Sequence, residues 1–226
     1  RIKRQRNMQK PASTSITRKK GRPRTFDRDV ALARAMNVFW LRGYEPASIA
    51  ELCAAMEINP PSLYAAFGNK AQLFLEAARH YKTLYWKPAW GRLAANPDIF
   101  EGMAGFFQDA ANILTLQDAP CGCLIILAAT NVSAEGQTVN DALKELRQEG
   151  LDCFLTRIQR AIREGQLPPD TDAPAMAAAF NTMLDGMSLR ARDGASRSEL
   201  EQVGTIAMSM FRSVIPSSSD PRGDQP

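Results

Sequence analysis

The sequence lacks most of what an active site, a membrane protein or a secreted scaffold requires. Among its 226 residues there is one histidine, His80, read as solvent-facing, and four cysteines, Cys53, Cys121, Cys123 and Cys153. Their spacings match no zinc signature or disulfide framework, so no metal, no cofactor and no cross-link is expected. Reduced thiols in a cytoplasmic protein are the default reading. There is no HExxH, no GxSxG and no phosphate-binding loop, which leaves an all-α enzyme without a nucleophile–base pair. No uninterrupted apolar run approaches the roughly 20 residues of a membrane-spanning helix. The first 28 residues are too poor in apolar positions for a secretory signal, although their Arg, Lys and Ser content mimics an organellar transit peptide. Strand-like alternation of apolar and polar residues is missing as well.

What is present is an uneven charge. Residues 1–28 carry eleven Lys or Arg and a single acid, Asp27, whereas the remaining 198 residues carry seventeen bases and twenty-three acids. The modest net charge of +4 therefore hides a basic arm on a mildly acidic body. Such an arm suits a polyanionic partner, and a merely solvated tail would look the same by charge alone. The start of the chain is itself open: Met8 is a candidate first residue.

Apolar residues recur at helical spacing almost throughout, which predicts an all-α fold. Leu32, Ala35, Met36, Phe39 and Trp40 form the first stripe, capped by Asp27 and stopped by Gly43. Ile49, Leu52, Cys53 and Met56 form the second, with Ser48 and Glu51 placed for a capping box. Three residues, Glu57 to Asn59, separate it from a helix over 60–67 that has Asn59 as cap and Pro60 at its first position. A longer helix over 69–87 carries Leu73, Phe74, Ala77, Tyr81, Leu84 and Tyr85 on one face until Pro88 breaks it. Further helices are expected over 98–117, 121–132, 139–164, 172–191 and 197–214. The segment 216–226, rich in Ser, Pro and Asp, reads as a disordered tail.

Two short helices joined by a three-residue turn fit a helix-turn-helix DNA reader; an αα-hairpin inside an ordinary bundle has the same spacing. The residues in that frame resolve the choice by resemblance. Ala47-Ser48-Ile49-Ala50-Glu51-Leu52, then Ile58-Asn59-Pro60-Pro61-Ser62-Leu63-Tyr64-Ala65-Ala66-Phe67-Gly68-Asn69-Lys70, then Leu73-Phe74, closely resemble the DNA-binding domain of tetracycline-repressor-type (TetR/AcrR) regulators. Ala35 to Trp40 and Gly43-Tyr44 fit that family's first helix. Glu57 departs from it, standing where the family commonly has Gly. The resemblance implies a reader over 26–70 and a ligand-binding, dimer-forming body over 71–215. It further implies a homodimer on a near-palindromic operator, repressing until a small-molecule effector binds. Ser48, Tyr64 and Lys70 then become phosphate contacts, and Asn59, Pro60, Pro61, Ser62, Ala65 and Ala66 the base-reading face. Leu63 and Phe67 lie on the stripe that faces Ile49 and Leu52, and read as core.

For the dimer, residues 172–191 and 197–214 are the expected interface. Met176, Ala179, Phe180, Met183, Leu184 and Met187 make the first of these apolar over much of its circumference, and Gly186 and Gly204 permit close approach. For the effector, Phe100, Met103, Phe107, Cys123, Leu127, Thr130, Phe154 and Met183 are nominated, with Trp86 and Trp90 as a roof; plain core packing is the competing reading of each. Cys121 and Cys123 follow Pro120 at an expected helix start, where the helix dipole would lower a thiol pKa. That spacing raises an alternative mechanism, oxidant or electrophile sensing. A helical interaction protein that binds no DNA would leave the reader motif and the arm without a purpose.

The reader helix holds no Arg, Lys, Gln or Asn beyond its cap, so the strong bidentate base contacts are missing and phosphate positioning must carry more of the binding. The arm can compensate. Lys19-Lys20-Gly21-Arg22-Pro23-Arg24 resembles the core of an AT-hook, with Arg22 and Arg24 suited to a narrow A·T minor groove and Pro23 keeping the chain extended. Deleting residues 1–24 is expected to weaken operator binding and flatten its salt dependence, as read by fluorescence anisotropy across a salt series.

Overall fold

The carboxylate of Asp27 accepts hydrogen bonds from the amides of Asp29 and Val30, at 2.9 and 3.2 Å, and so opens α1 (Arg28–Arg42). The computed structural model describes residues 26–128 and 132–213, and among them every regular element is helical. After α1 come α2 (Ile49–Met56), α3 (Pro60–Phe67), α4 (Lys70–Tyr81), α5 (Lys87–Ala95), α6 (Ile99–Leu114), α7 (Leu124–Leu127), α8 (Gln137–Arg163), α9 (Ala173–Arg192) and α10 (Arg197–Ser213). Local chemistry sets most of the starts. Ser48 Oγ accepts from the Glu51 amide at 3.1 Å, and Asn59 Oδ1 accepts from the Ser62 amide at 2.9 Å. The capping box expected at Ser48 and Glu51 is only half made, because the Glu51 carboxylate turns to Arg42 Nε at 3.0 Å. A complete box forms instead at α4, where Asn69 and Gln72 exchange side-chain and backbone bonds of 2.8 and 3.0 Å.

The first four helices close on a small aromatic core. Phe39 and Tyr44 each meet the ring of Phe74 edge-on, with centroids 5.0 and 5.1 Å apart, and Trp40 meets Tyr81 at 4.7 Å. Leu63 and Phe67 seat α3 in this core, as their stripe predicts. Arg28 clamps three helices together: it pairs with Glu76 of α4 and lies 4.4 Å from the centroid of the Phe67 ring of α3. In the body α8 packs along α9, and α6 packs along both α5 and α10. Rings of Trp90, Phe106, Phe154, Phe180 and Phe211 run through its centre in successive contact.

Two elements differ from the expected ones. Pro88 does not end the helix begun at Asn69. A π-helical turn over Lys82–Trp86 widens the chain by one residue, and Pro88 then falls in the first turn of α5, where no N–H is needed. The slip also rephases the buried stripe: Leu84, expected inside, is 53% exposed, and Trp86 is buried instead. Trp86 Nε1 donates to the Tyr81 hydroxyl at 3.1 Å across that turn. The helix expected over 121–132 is cut to α7, because Gly122 adopts φ +82°, a left-handed conformation that a helix cannot contain. A Cβ there would stand 2.8 Å from the Ser188 carbonyl oxygen, and the next amide, that of Cys123, donates to Ser188 Oγ at 2.8 Å.

That turn also docks the first helices on the body. Trp40 Nε1 donates to the Gly122 carbonyl at 2.7 Å, and the Tyr44 amide donates to the Ala128 carbonyl at 2.8 Å. Arg192 of α9 ties both sides, donating to the carbonyls of Cys121 and Trp40 at 2.9 and 3.0 Å. Glu45 accepts from the amide and hydroxyl of Ser133, and these donors hold its carboxyl below the usual range. Replacing Trp40 by Phe keeps one aromatic ring but removes the pyrrole half of a buried indole and strips the Gly122 carbonyl of its donor. A loss of about 2–5 kcal/mol is expected, seen as a lower urea midpoint at unchanged slope.

Candidate nucleic-acid interface and ligand cavity

The turn between α2 and α3 is built on Glu57, which adopts φ 56° and ψ 40°. It is the one non-glycine residue among those described with a positive φ, which gives a physical reason for glycine at that place. Its carboxylate meets Arg34 of α1 at 2.8 Å, so the acid beside the reader is partly neutralised by the body of the same bundle. Beyond the turn, Asn59, Pro60, Pro61, Tyr64 and Ala65 face outward on α3, and Ser62 and Ala66 are half-buried. Tyr64 is 49% exposed, an amphipathic ring standing clear of the surface. Ser48 lies at the exposed start of α2. Lys70 Nζ donates to the Glu45 carbonyl at 3.0 Å and sits 4.8 Å from the centroid of the Tyr44 ring; partial burial pulls its pKa below the usual lysine value. Arg22 and Arg24 lie outside the described residues.

A cavity of about 690 Å³ opens between α4, the π-turn, α5, the segment from Cys123 to Ile126, α8 and α9. Trp86 and Trp90 line it as expected, with Ile125, Ile126, Leu146 and Leu184 for most of the remaining apolar wall. Its polar groups escaped the sequence reading: Arg79, Lys82 and Lys87 near one edge, Arg147 on α8, Asn181 and Asp185 on α9. Lys82 pairs with Glu149. Arg147 donates to the Ile125 carbonyl at 3.1 Å, and burial pushes the Asp185 carboxyl up while Arg147 opposes that rise. Two signals pointed here: Asn181 and Asp185 stand four residues apart within the apolar run from Met176 to Met187 of α9, and Arg147 sits one residue from the stripe of α8.

Of the residues nominated for the effector, Cys123 is on the cavity wall. Met103, Phe107 and Phe154 are instead fully buried, because the α6 aromatics fill the space between their own helices. Phe100 lies against Phe211 at 4.9 Å, toward α10. Leu127 packs over Gly122, and Met183 is half-buried on α9 away from the cavity lining. Thr130 lies outside the described residues. The thiols differ from expectation too. Burial pushes the Cys123 thiol above its ordinary pKa, the reverse of the dipole lowering expected at a helix start, and α7 is a single turn. Cys121 is exposed, Cys53 is core, and Cys153 is exposed on the cavity wall. His80, expected to face solvent, is half-buried.

The dimer candidates divide: Phe180, Leu184 and Met187 are buried in the chain's own core, Met176 and Met183 are half-buried, and Ala179 is exposed. Ala175, Ala178, Ala179, Thr182, Gly186 and Leu189 of α9 are exposed, next to Val203 and Ile206 of α10. A Cβ on Gly186 would meet nothing within 4 Å, whereas one on Gly204 would strike Phe107 Cβ at 2.9 Å, so Gly204 serves packing within the chain. Among the described residues no helix is long and apolar enough to cross a membrane.

Comparison with known proteins agrees with this architecture. Residues 31–77 match the family model of bacterial regulatory proteins of the tetR family, and residues 101–206 match that of a tetracyclin repressor-like C-terminal domain. The HTH-type transcriptional repressor ComR of Escherichia coli (strain K12) is 33% identical over 204 residues, covering 88% of this chain and 96% of that protein. The HTH-type transcriptional repressor BdcR of the same organism is 25% identical over 195 residues, 86% of this chain and 94% of that protein. A cysteine-substituted form of the regulator CifR, solved with 26-bp double-strand operator DNA, is 44% identical with a TM-score of 0.82, covering 84% of this chain and all of that one. AibR, solved with isovaleryl coenzyme A and operator DNA, shares the fold at 18% identity and a TM-score of 0.60, over 78% of this chain and 96% of that one. With both its reader and its body matched in register, the chain belongs to the TetR family of DNA-binding transcriptional regulators.

Proposed function

We propose that the chain is a cytoplasmic homodimeric repressor that leaves its operator when a small, largely apolar molecule enters the cavity between α4, α8 and α9. One observation carries the release step. The segment that forms the cavity wall, Cys123 to Ile126, is flanked by the two carbonyls, of Gly122 and Ala128, that accept from Trp40 and Tyr44. A ligand that displaces this wall moves the seat of α1, and with it the angle of the reader. It shifts the equilibrium only as far as it prefers the displaced state.

In this reading residues 26–70 bind DNA and residues 71–215 sense and dimerise. Ser48, Tyr64 and Lys70 hold phosphates, while Asn59, Pro60, Pro61, Ser62 and Ala65 present α3 to base edges, with thymine methyls as the natural partners of so apolar a surface. Arg22 and Arg24 add minor-groove contacts beside each half-site. The exposed small-residue face of α9 and the Val203–Ile206 edge of α10 meet their copies in the partner, an isologous contact that sets the spacing of two half-sites. No step of this cycle is catalytic.

Anisotropy titration against the DNA upstream of the chain's own gene tests the reading; binding no tighter than to bulk competitor at moderate salt would sink it. Lys70→Gln is expected to lower the salt slope by about one phosphate while leaving sequence preference intact. Glu57→Gly is expected to raise operator affinity by removing an acid beside the backbone, with stability changed by no more than about 1 kcal/mol because left-handed strain is relieved as chain entropy is lost. Ile206→Asp is expected to give a monomer by light scattering and to weaken operator binding about 100-fold, since the second reader no longer binds intramolecularly.

A further inference from the structure

Arg157, in the middle of α8, is 2% exposed and carries a charge with no ion-pair partner among the described residues. Its Nη2 donates to the carbonyls of Asn96 and Pro97, at 3.2 and 3.3 Å, but Nε and Nη1 have no acceptor. The acids nearby are engaged: Glu164 accepts from Arg160 at 2.7 Å, Asp98 caps α6, and Asp152 accepts from Gln148 at 2.9 Å. A buried guanidinium left two-thirds unsatisfied is costly, and burial accordingly pulls its pKa below the usual arginine value.

Arg157 lines a groove of about 260 Å³ between α5 and α8, together with Trp90, Leu93, Cys153 and Thr156, a second cation, Arg160, and one acid, Asp152. Trp90 and Cys153 also line the 690 Å³ cavity, so the two spaces share one indole and one thiol as common wall. Gly150 leaves room for the indole, with its missing Cβ 3.4 Å from Trp90 Cζ2. The combination is a roomy, mostly apolar cavity and, across one shared aromatic ring, a groove lined by a buried cation that lacks an ion-pair partner among the described residues. We propose that the groove is an anion subsite, in which Arg157 receives the carboxylate of an elongated apolar acid whose body runs past Trp90 into the main cavity. The proposal rests on the cavity being the effector site and names the chemical class of the effector. The carboxylate supplies the acceptors that Nε and Nη1 lack, and the cation it meets is already desolvated, so discrimination against an uncharged head group is steep.

The test uses decanoate and its uncharged counterpart decanol, with binding to the full chain read from tryptophan fluorescence and calorimetry. Wild type is expected to prefer decanoate at least about tenfold, and Arg157→Met to lose that preference while binding decanol unchanged. Equal binding of both probes by wild type, or a preference that survives in Arg157→Met, overturns the subsite. Should Arg157→Met fail to fold, the wild-type chain still decides. The arginine Nε–H resonance that is missing from the Arg157→Lys spectrum is expected to shift with decanoate and stay fixed with decanol; no shift with decanoate overturns the proposal. Operator release measured on the same samples separates the two readings. Arg157-dependent binding without release supports the subsite and removes the effector role, whereas probe-induced release independent of Arg157 does the opposite.

Discussion

The hydrogen bond from the Trp40 indole to the Gly122 carbonyl is the constraint on which the two ends of the molecule depend. It is buried, it joins residues 82 positions apart, and its acceptor belongs to a glycine at which any side chain would collide with Leu127 and the Ser188 carbonyl. Everything around it reinforces the same docking: Arg192 holds both partners' chains, Ser188 holds the next amide, and the ring of Trp40 packs on Tyr81. The reader is therefore not a bead on a flexible tether. Its orientation is tied to the same short segment that walls the cavity, so under the proposed function a ligand there would reach the reader without a long relay of contacts.

The reader itself is an economical surface. Its outward residues are two prolines, a tyrosine, an alanine and a cap, all of which cost little conformational entropy to hold in place. Such a helix gives up the bidentate hydrogen bonds that arginine or glutamine would offer and, under the proposed function, would rely on shape, methyl contacts and phosphate anchors. The basic residues of α1 do not make up the deficit, because Arg28, Arg34 and Arg42 are each engaged by a carboxylate of a neighbouring helix.

The helices of the reader were legible in the sequence because their information is local. Asp27, Ser48, Asn59 and Asn69 mark starts through bonds to amides two or three residues away, Pro60 marks one by needing no N–H in the first turn, and the stripe over Leu63 and Phe67 announces which face is covered. The body was legible as helices but not as a cavity. Whether Phe107 or Phe154 lines a hollow or fills it depends on how four helices approach one another, and no local period encodes that distance. The stripe through Leu84 misled for a related reason: a helical period is readable only while the winding is regular, and the π-turn changes it within five residues. Gly122 was invisible as a breaker because its need for a left-handed backbone comes from Ser188, far along the chain. Arg157 carried no signal at all, since a charge at the edge of an amphipathic stripe ordinarily reaches water.

The wide turn at Lys82–Trp86 has a geometric corollary. In uninterrupted α-helical winding, residues five apart point about 140° away from each other, so Tyr81 and Trp86 would have opposed azimuths. The extra residue brings them to one side, where the hydroxyl and the indole bond. Excising a single residue from this stretch would therefore do more than shorten a rod. It would twist α5, with Trp90 on it, through roughly 100° against α4, emptying one side of the chamber of its indoles and exporting them to water. Chain length between Tyr81 and Trp90 is thus an angular specification, as binding on the architecture as any contact in its interior.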